Sequence, residues 1–237
     1  MSAQIEIWYN PTNDSHRWLG YFDLLGTRAL IKSRVHFYVF TVYATAIEEA
    51  RKTLACQPTV SSVWFSDTFL IYTSDDSAQN FAFIDQVSRW FVYFLLITAS
   101  IPVRGSISCG DFYADRSSNV YFGPALVEAY EYGEAQDWIG FLLSPSAVTR
   151  LDSLGIPAGE RLNYAYWNVP FKTGKGKLTS KLPACILGQW IEINGKNPCL
   201  EKLDELKRCV KLQDVGKYEK AIQFIEKCQR KLVIPPR

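Results

Sequence analysis

Histidine is nearly missing from this sequence: 237 residues contain only His16 and His36. Six cysteines are present, but they are scattered, form no CxxC pair and have no histidine beside them in the chain, so a zinc cluster is not expected. An excess of charge of one sign is missing as well. Lys and Arg number 26 against 24 Asp and Glu, a formal net charge of +2. That is too weak a field to point to nucleic acid or an anionic membrane as a partner. The longest apolar run, residues 91–97, is far shorter than the roughly 20 residues a spanning helix needs. The opening MSAQIEIWYN has no cationic stretch followed by an apolar one, so it does not read as a signal peptide. Reduced thiols and a cytoplasmic location are the matching expectations.

Aromatic side chains are plentiful at 14%, which predicts a well-filled core and no extended disorder. The length suits one sizeable domain with appendages, or two small ones. Residues 1–16 are polar and turn-like and read as a lead-in. Residues 17–23 (RWLGYFD) read as a buried strand, and 27–54 carry apolar residues at helical spacing. Residues 60–65 and 69–72 flank Ser66-Asp67-Thr68 and predict a hairpin turning at Asp67. A helix over 77–100, stopped by Pro102, and a strand over 103–113 complete a β-α-β-β-α-β order, the ferredoxin-like arrangement. A short strand follows over 119–122, then a helix over 124–137, a strand over 139–143 and a helix over 145–154. Strands over 164–171 and 183–187 flank a TGKGK turn, and the chain from 198 onward is helical. The expected fold class is therefore α+β, a catalytic unit over 17–190 followed by a C-terminal helical extension over 191–237.

Chemistry concentrates in YFDLLGTR (21–28) and FSDTF (65–69). A β-α-β crossover returns the chain parallel, so the end of the first strand and the turn after the second lie at one edge of the sheet. Asp23 and Asp67 meet there, beside a loop at Leu25, Gly26 and Thr27 that opens a helix and suits phosphate. Taken singly, Asp23 could be a helix cap and Asp67 a turn former. As a pair beside a glycine loop, they describe a two-metal phosphoryl-transfer site.

FDLLG, FSDT, RGSISCGDFY and GPALVEAYEYGEAQ, in this order and spacing, resemble the class III nucleotidyl cyclases in their Pycsar pyrimidine-cyclase branch. The resemblance covers most of residues 17–190. It implies a ferredoxin-like class III core and closure of a nucleoside triphosphate into a 3′,5′-cyclic monophosphate. It also implies a second messenger for antiphage defence, read by a separate effector. By the same resemblance Asp23 and Asp67 bind two divalent metal ions (Mn²⁺ or Mg²⁺), and the Leu24 carbonyl completes one metal site. Phe22, Leu25, Gly26 and Thr27 lie along the triphosphate, Arg104 matches a family arginine, and Lys172 matches a late phosphate-binding lysine. A homodimer is implied, with metals from one subunit and base contacts from its mate; Asp23 and Arg104 would then act from opposite chains. For Lys172 a solvated hairpin, and for Arg104 a surface arginine, are the plainer readings.

The departures bear on substrate. The purine-reading positions of conventional cyclases fall on Val63 and near Val120, and their transition-state donors near Val127 and Glu131. Metal ligands kept without purine readers point to a different base, with Val63, Trp64, Phe65 and Tyr121 as candidate base-pocket residues. UTP is the expected substrate, giving cyclic UMP and pyrophosphate, with CTP as the alternative. A degenerate nucleotide-binding module and another palm-like nucleotide-transfer enzyme stay open beside these.

Overall fold

The computed structural model describes residues 14–26, 60–159, 162–174, 178–191 and 196–232, together with helical positions 41, 44, 45, 48 and 52. The rest of the helix expected over 27–54 lies outside the described residues. Strand β1 (Asp14–Leu24) pairs antiparallel with β3 (Thr68–Thr73) on one side and with β4 (Val103–Asp115) on the other. Strand β2 (Val60–Phe65) pairs antiparallel with β3, which leaves β1 and β2 parallel. Helix α1 (Ala78–Ala99) joins β3 to β4, so the order β2-β3-β1-β4 is the ferredoxin-like arrangement the sequence predicts. Beyond β4 come β5 (Val120–Phe122), α2 (Pro124–Ala135), β6 (Gly140–Leu143) and α3 (Pro145–Ser153). Strands β7 (Tyr164–Asn168) and β8 (Lys181–Cys185) and helices α4 (Pro198–Lys207) and α5 (Leu212–Leu232) complete the order. The sheet continues β4-β6-β8-β7, with β5 paired to β4.

Alternation along β1 sorts the core. Trp18, Phe22 and Leu24 face α1, while Leu19 and Tyr21 face α2. Helix α1 begins at Ser77, whose hydroxyl accepts the Asn80 N–H, and ends at Ser100 in a left-handed conformation. Its inner face (Phe81, Ile84, Val87, Phe91, Leu95) is buried on the sheet, each side chain contributing about 1.5–3 kcal/mol. Among the described residues it is the one helix long and apolar enough to cross a membrane, and that inner face is spent on the sheet. Helix α2 lies on the opposite face along a line of small residues, Ala125, Ala129 and Gly133. A Cβ at Gly133 would stand 2.6 Å from the Tyr21 ring, so only glycine allows this approach. Ser106 and Ser108 of β4 donate hydrogen bonds to the Ala129 and Ala125 carbonyls, both at 2.7 Å, and pin the helix there.

Several boundaries differ from expectation. β1 starts at Asp14, so residues 14–16 belong to the sheet and not to the lead-in. β7 ends at Asn168, short of Pro170, which cannot donate to a ladder. The C-terminal helical stretch divides into α4 and α5, and both pack into the main core. Phe224 of α5 lies 5.1 Å from Trp138 and 5.2 Å from Trp167 between ring centroids.

Candidate active site

Because β1 and β2 run parallel, the end of β1 and the β2–β3 turn do meet at one sheet edge. Asp23 pairs in register with Thr68 on β3 and Arg104 on β4. The Leu24 N–H donates to the Asp67 carbonyl at 2.9 Å, tying strand end to turn. The turn is tight, with Ser66 at φ 55°, and the Trp64 indole N–H braces it by donating to the Ser66 carbonyl at 2.7 Å. Over this edge lies a cavity of about 510 Å³, within the size range of small-molecule sites. Asp23, Asp67 and Glu134 line it with Arg104 and Lys172, and so do Leu24, Leu25 and Gly26 of the loop.

The charged groups form one network. Arg104 Nε donates to Asp23 Oδ2 at 2.8 Å, and Nη2 donates to both Glu134 oxygens at 2.8 Å. Nη1 donates to the Gln136 carbonyl at 3.2 Å, Lys172 Nζ stands 3.6 Å from Glu134, and the Tyr21 hydroxyl donates to Glu134 at 3.3 Å. Burial pushes the Asp23 carboxyl up to about 6, with Arg104 pulling against it and Glu134 adding to it. Burial also acts to raise Glu134, but the Arg104 and Lys172 cations outweigh it and hold that carboxyl below its usual value. Lys172 is lowered by burial and by the neighbouring Arg104. Burial raises the Tyr21 phenol, which stays a donor at neutral pH. Three carboxylates against two cations leave the cavity an excess of negative charge made of hard oxygen donors. Asp23 and Asp67 could hold divalent magnesium- or manganese-class ions there.

The structure thus brings together Asp23, Asp67, Arg104, Lys172, Leu24, Leu25 and Gly26. Thr27 lies outside the described residues. Phe22 does not reach the cavity: strand alternation turns its ring into the α1 face, between Phe91 (5.7 Å) and Phe141 (5.6 Å). Nor does the loop offer every amide to phosphate, because the Leu25 N–H donates to the Pro102 carbonyl at 2.9 Å. The four base-pocket candidates do not form one pocket. Val63 and Tyr121 pack on the α2 face, whereas Trp64 faces the other core, 5.2 Å from Phe69, and Phe65 is 79% exposed. Arg104 bonds to Asp23 of its own chain, so the expectation that the two act from opposite subunits is corrected. The plainer surface reading of Arg104 fails as well, since it is 8% exposed.

Glu134, Gln136 and Tyr21 escaped the sequence reading. Gln136 is fully buried. Its Nε2 donates to the Gly105 and Tyr132 carbonyls at 2.6 and 2.9 Å, and its Oε1 accepts from the Trp138 indole at 2.7 Å. A signal existed for Glu134: it follows the last member of the Ala125, Ala129, Gly133 line, which marks the helix face that closes on the sheet.

No protein-family model matches the chain, and no curated protein does. Solved structures do. The chain is similar to the catalytic core of a rhodopsin-guanylyl cyclase with converted specificity, in complex with ATPαS. That match has 11% identity and a TM-score of 0.55, over 72% of this chain and 96% of that one. It is also similar to the adenylyl cyclase CyaB from P. aeruginosa, with 10% identity and a TM-score of 0.51, over 72% and 92%. At these identities the likeness concerns the fold: a mixed α+β fold shared with class III nucleotidyl cyclase domains.

Proposed function

We propose that, on this class III cyclase fold, the chain works as a nucleotidyl cyclase that converts UTP to 3′,5′-cyclic UMP and pyrophosphate. The observation that carries the reading is the convergence of Asp23 and Asp67 with Arg104 and Lys172 on one cavity at the sheet edge. Asp23 and Asp67 hold the metal ions, with Leu24 beside them. Arg104 and Lys172 present cations to the triphosphate, and Glu134 and the Gln136 carbonyl keep Arg104 from rotating away. Two divalent ions, when bound, supply charge neutralisation at the phosphates and a lowered pKa at the ribose 3′-OH. The chain's own part is positioning and electrostatics: it aligns the 3′-OH with the α-phosphorus and the departing pyrophosphate in a partly buried site.

Base choice rests on what the chain lacks. Val63 is apolar and half-buried, and Val120 is apolar and 41% exposed, so neither can pair a purine edge. Neither valine lines the cavity of Asp23 and Asp67 in the single chain; where an assembled site closes over the base, an unpaired edge costs roughly 1–3 kcal/mol per group, about 10-fold or more in discrimination. CTP is the next candidate. A homodimer is supported by the apolar side chains left exposed on β5 and α2, namely Val120, Phe122, Val127 and Tyr130. A cytoplasmic antiphage signalling role, with a separate effector reading the product, follows from the sequence resemblance.

The second reading, a nucleotide-binding module without turnover, is favoured by one observation. Val127 and Glu131, at the conventional transition-state donor positions, are exposed and neither is a hydrogen-bond donor of that kind. One reaction with all four nucleoside triphosphates and Mn²⁺, resolved by product mass, separates these readings. Cyclic UMP in excess is expected. Dominant cyclic AMP or GMP refutes the pyrimidine assignment, and nucleotide binding with no cyclic product refutes the enzyme.

A further inference from the structure

A second cluster of ligand-type side chains lies at the opposite end of β1 from Asp23, seven residues or roughly 23 Å along the strand. The sequence separates His16 from Cys109 by 93 positions, and so no metal-type cluster is expected from it. The β1–β4 register sets Trp18 opposite Cys109, which brings His16 to the same face two residues away. Trp18 then anchors the segment that leads into α1: its N–H donates to Thr73 Oγ1 at 3.0 Å and its indole N–H to the Ser77 carbonyl at 2.9 Å. This sets Asp76 over His16. His16 Nδ1 is 2.6 Å from Asp76 Oδ2 and 3.8 Å from Cys109 Sγ, and all three donor atoms lie within 4.8 Å of one another.

Two ordinary explanations account for only part of this. A Cys-His-Asp relay needs the thiol and the carboxylate on opposite ring nitrogens, and here both meet Nδ1. A simple His–Asp ion pair leaves the approach of Cys109 to the same nitrogen without a role. A tetrahedral ion bound by nitrogen, oxygen and sulfur at about 2.0–2.3 Å would hold these donors roughly 3.3–3.6 Å apart. The sulfur–nitrogen separation is already close to that, and the nitrogen–oxygen separation needs to open by less than about 1 Å. Arg150 of α3 fixes the carboxylate from behind, with Nε 2.9 Å from Oδ2 and Nη2 3.0 Å from Oδ1. Ser146 Oγ accepts the Cys109 N–H at 3.0 Å. Ligands held by outer partners in this way are the usual build of a metal site.

We infer that His16 Nδ1, the Asp76 carboxylate and Cys109 Sγ form a site for a zinc-class divalent ion, with water completing the tetrahedron. The mixed imidazole, thiolate and carboxylate set suits a borderline ion better than the hard magnesium class expected at Asp23 and Asp67. Binding moves the Cys109 proton to solvent and forms the metal–sulfur bond, with no change of oxidation state. Burial keeps the free thiol protonated, pushing it up to about 12, so the ion must displace that proton. Occupancy staples the start of β1 to the head of α1 and the middle of β4. This inference does not depend on the cyclase reading.

The test uses Co²⁺ as a spectroscopic stand-in, added to the full chain after chelator treatment, in a Cys209→Ser background that removes an exposed thiol. One equivalent should give a thiolate charge-transfer band and the intense visible bands of tetrahedral cobalt. Cys109→Ser should abolish the charge-transfer band. His16→Ala should remove the tetrahedral spectrum and weaken binding at least about 10-fold, the loss that outer-shell changes alone bring. His16 is exposed, so that variant keeps the test decisive should Cys109→Ser fold poorly. Asp67→Ala should leave the spectrum unchanged. A spectrum without a charge-transfer band, or a band that survives in Cys109→Ser or disappears in Asp67→Ala, overturns the assignment.

Discussion

Replacing Arg104 by alanine is the most informative single change at the sheet edge. The guanidinium is 9% exposed and its Asp23 partner 11%, and it bonds to Asp23, to both oxygens of Glu134 and to the Gln136 carbonyl. Removing one member of a buried pair leaves the other charge uncompensated, which costs about 3–5 kcal/mol. Glu134 is more open, at 26%, and keeps Lys172 at 3.6 Å, so the lower end of that range is expected. For a chain of this size about 3 kcal/mol corresponds to a fall in Tm of roughly 6–12 °C. Thermal and urea unfolding with a chelator present measure this without any contribution from bound metal.

Adding Glu134→Gln to Arg104→Ala removes the like charge that faces Asp23. The double variant should therefore be more stable than Arg104→Ala alone, and its departure from the sum of the two single variants should be about 0.5–3 kcal/mol. Glu134→Gln in the parent chain should instead be destabilising, since there it costs Arg104 a bidentate acceptor. A Tm for Arg104→Ala within about 2 °C of the parent, or a double variant no better than the single, would refute the network as drawn.

Mixing Asp23→Asn with Arg104→Ala subunits should restore no activity, because both residues serve one cavity and every heterodimer carries two damaged sites; recovery toward a quarter of parental activity would place them on opposite chains. Asp67→Ala should abolish cyclisation with Mn²⁺ while unfolding at nearly the parental temperature, since the bond to the Leu24 N–H uses the Asp67 main-chain carbonyl. Phe22→Ala should cost about 3–5 kcal/mol of stability by opening a void between Phe91 and Phe141, and calorimetry showing under 1 kcal/mol would place the ring elsewhere.

The sheet edge was legible in the sequence because topology alone determines it. Once residues 17–23 and 60–65 read as strands joined by a helical crossover, parallel direction followed, and with it the meeting of Asp23 and Asp67. Face was harder to assign. Trp64 and Val63 are neighbours in a strand, so alternation puts them on opposite faces, but it leaves open which face each takes. Only the pairing of β2 with β3 decides that Trp64 joins Phe69 and Phe91 while Val63 turns toward Tyr72 and Tyr121. Alternation likewise puts Phe22 on the face opposite Asp23, although its place beside a metal-type aspartate made it look like part of the nucleotide site.

The network around Arg104 was illegible for a different reason: its members come from β1, β4, α2 and the irregular segment after β7 that carries Lys172, and no local pattern links them. What links them is the closeness of α2 to the sheet. Gly133 lets the helix touch Tyr21, and the next residue, Glu134, then has nowhere to go but the mouth of the cavity, where Arg104 and Lys172 meet it. A Gly133→Ala variant isolates that step, since its methyl would stand 2.6 Å from the Tyr21 ring and the helix or the ring must give way. Overpacking of this kind costs typically 1–3 kcal/mol. If it also withdraws Glu134 from Arg104, adding Glu134→Gln to the variant should cost less stability than adding it to the parent chain. Additive effects of Gly133→Ala and Glu134→Gln in urea unfolding would show that helix approach and ion network are independent, and the packing account of the site would fail.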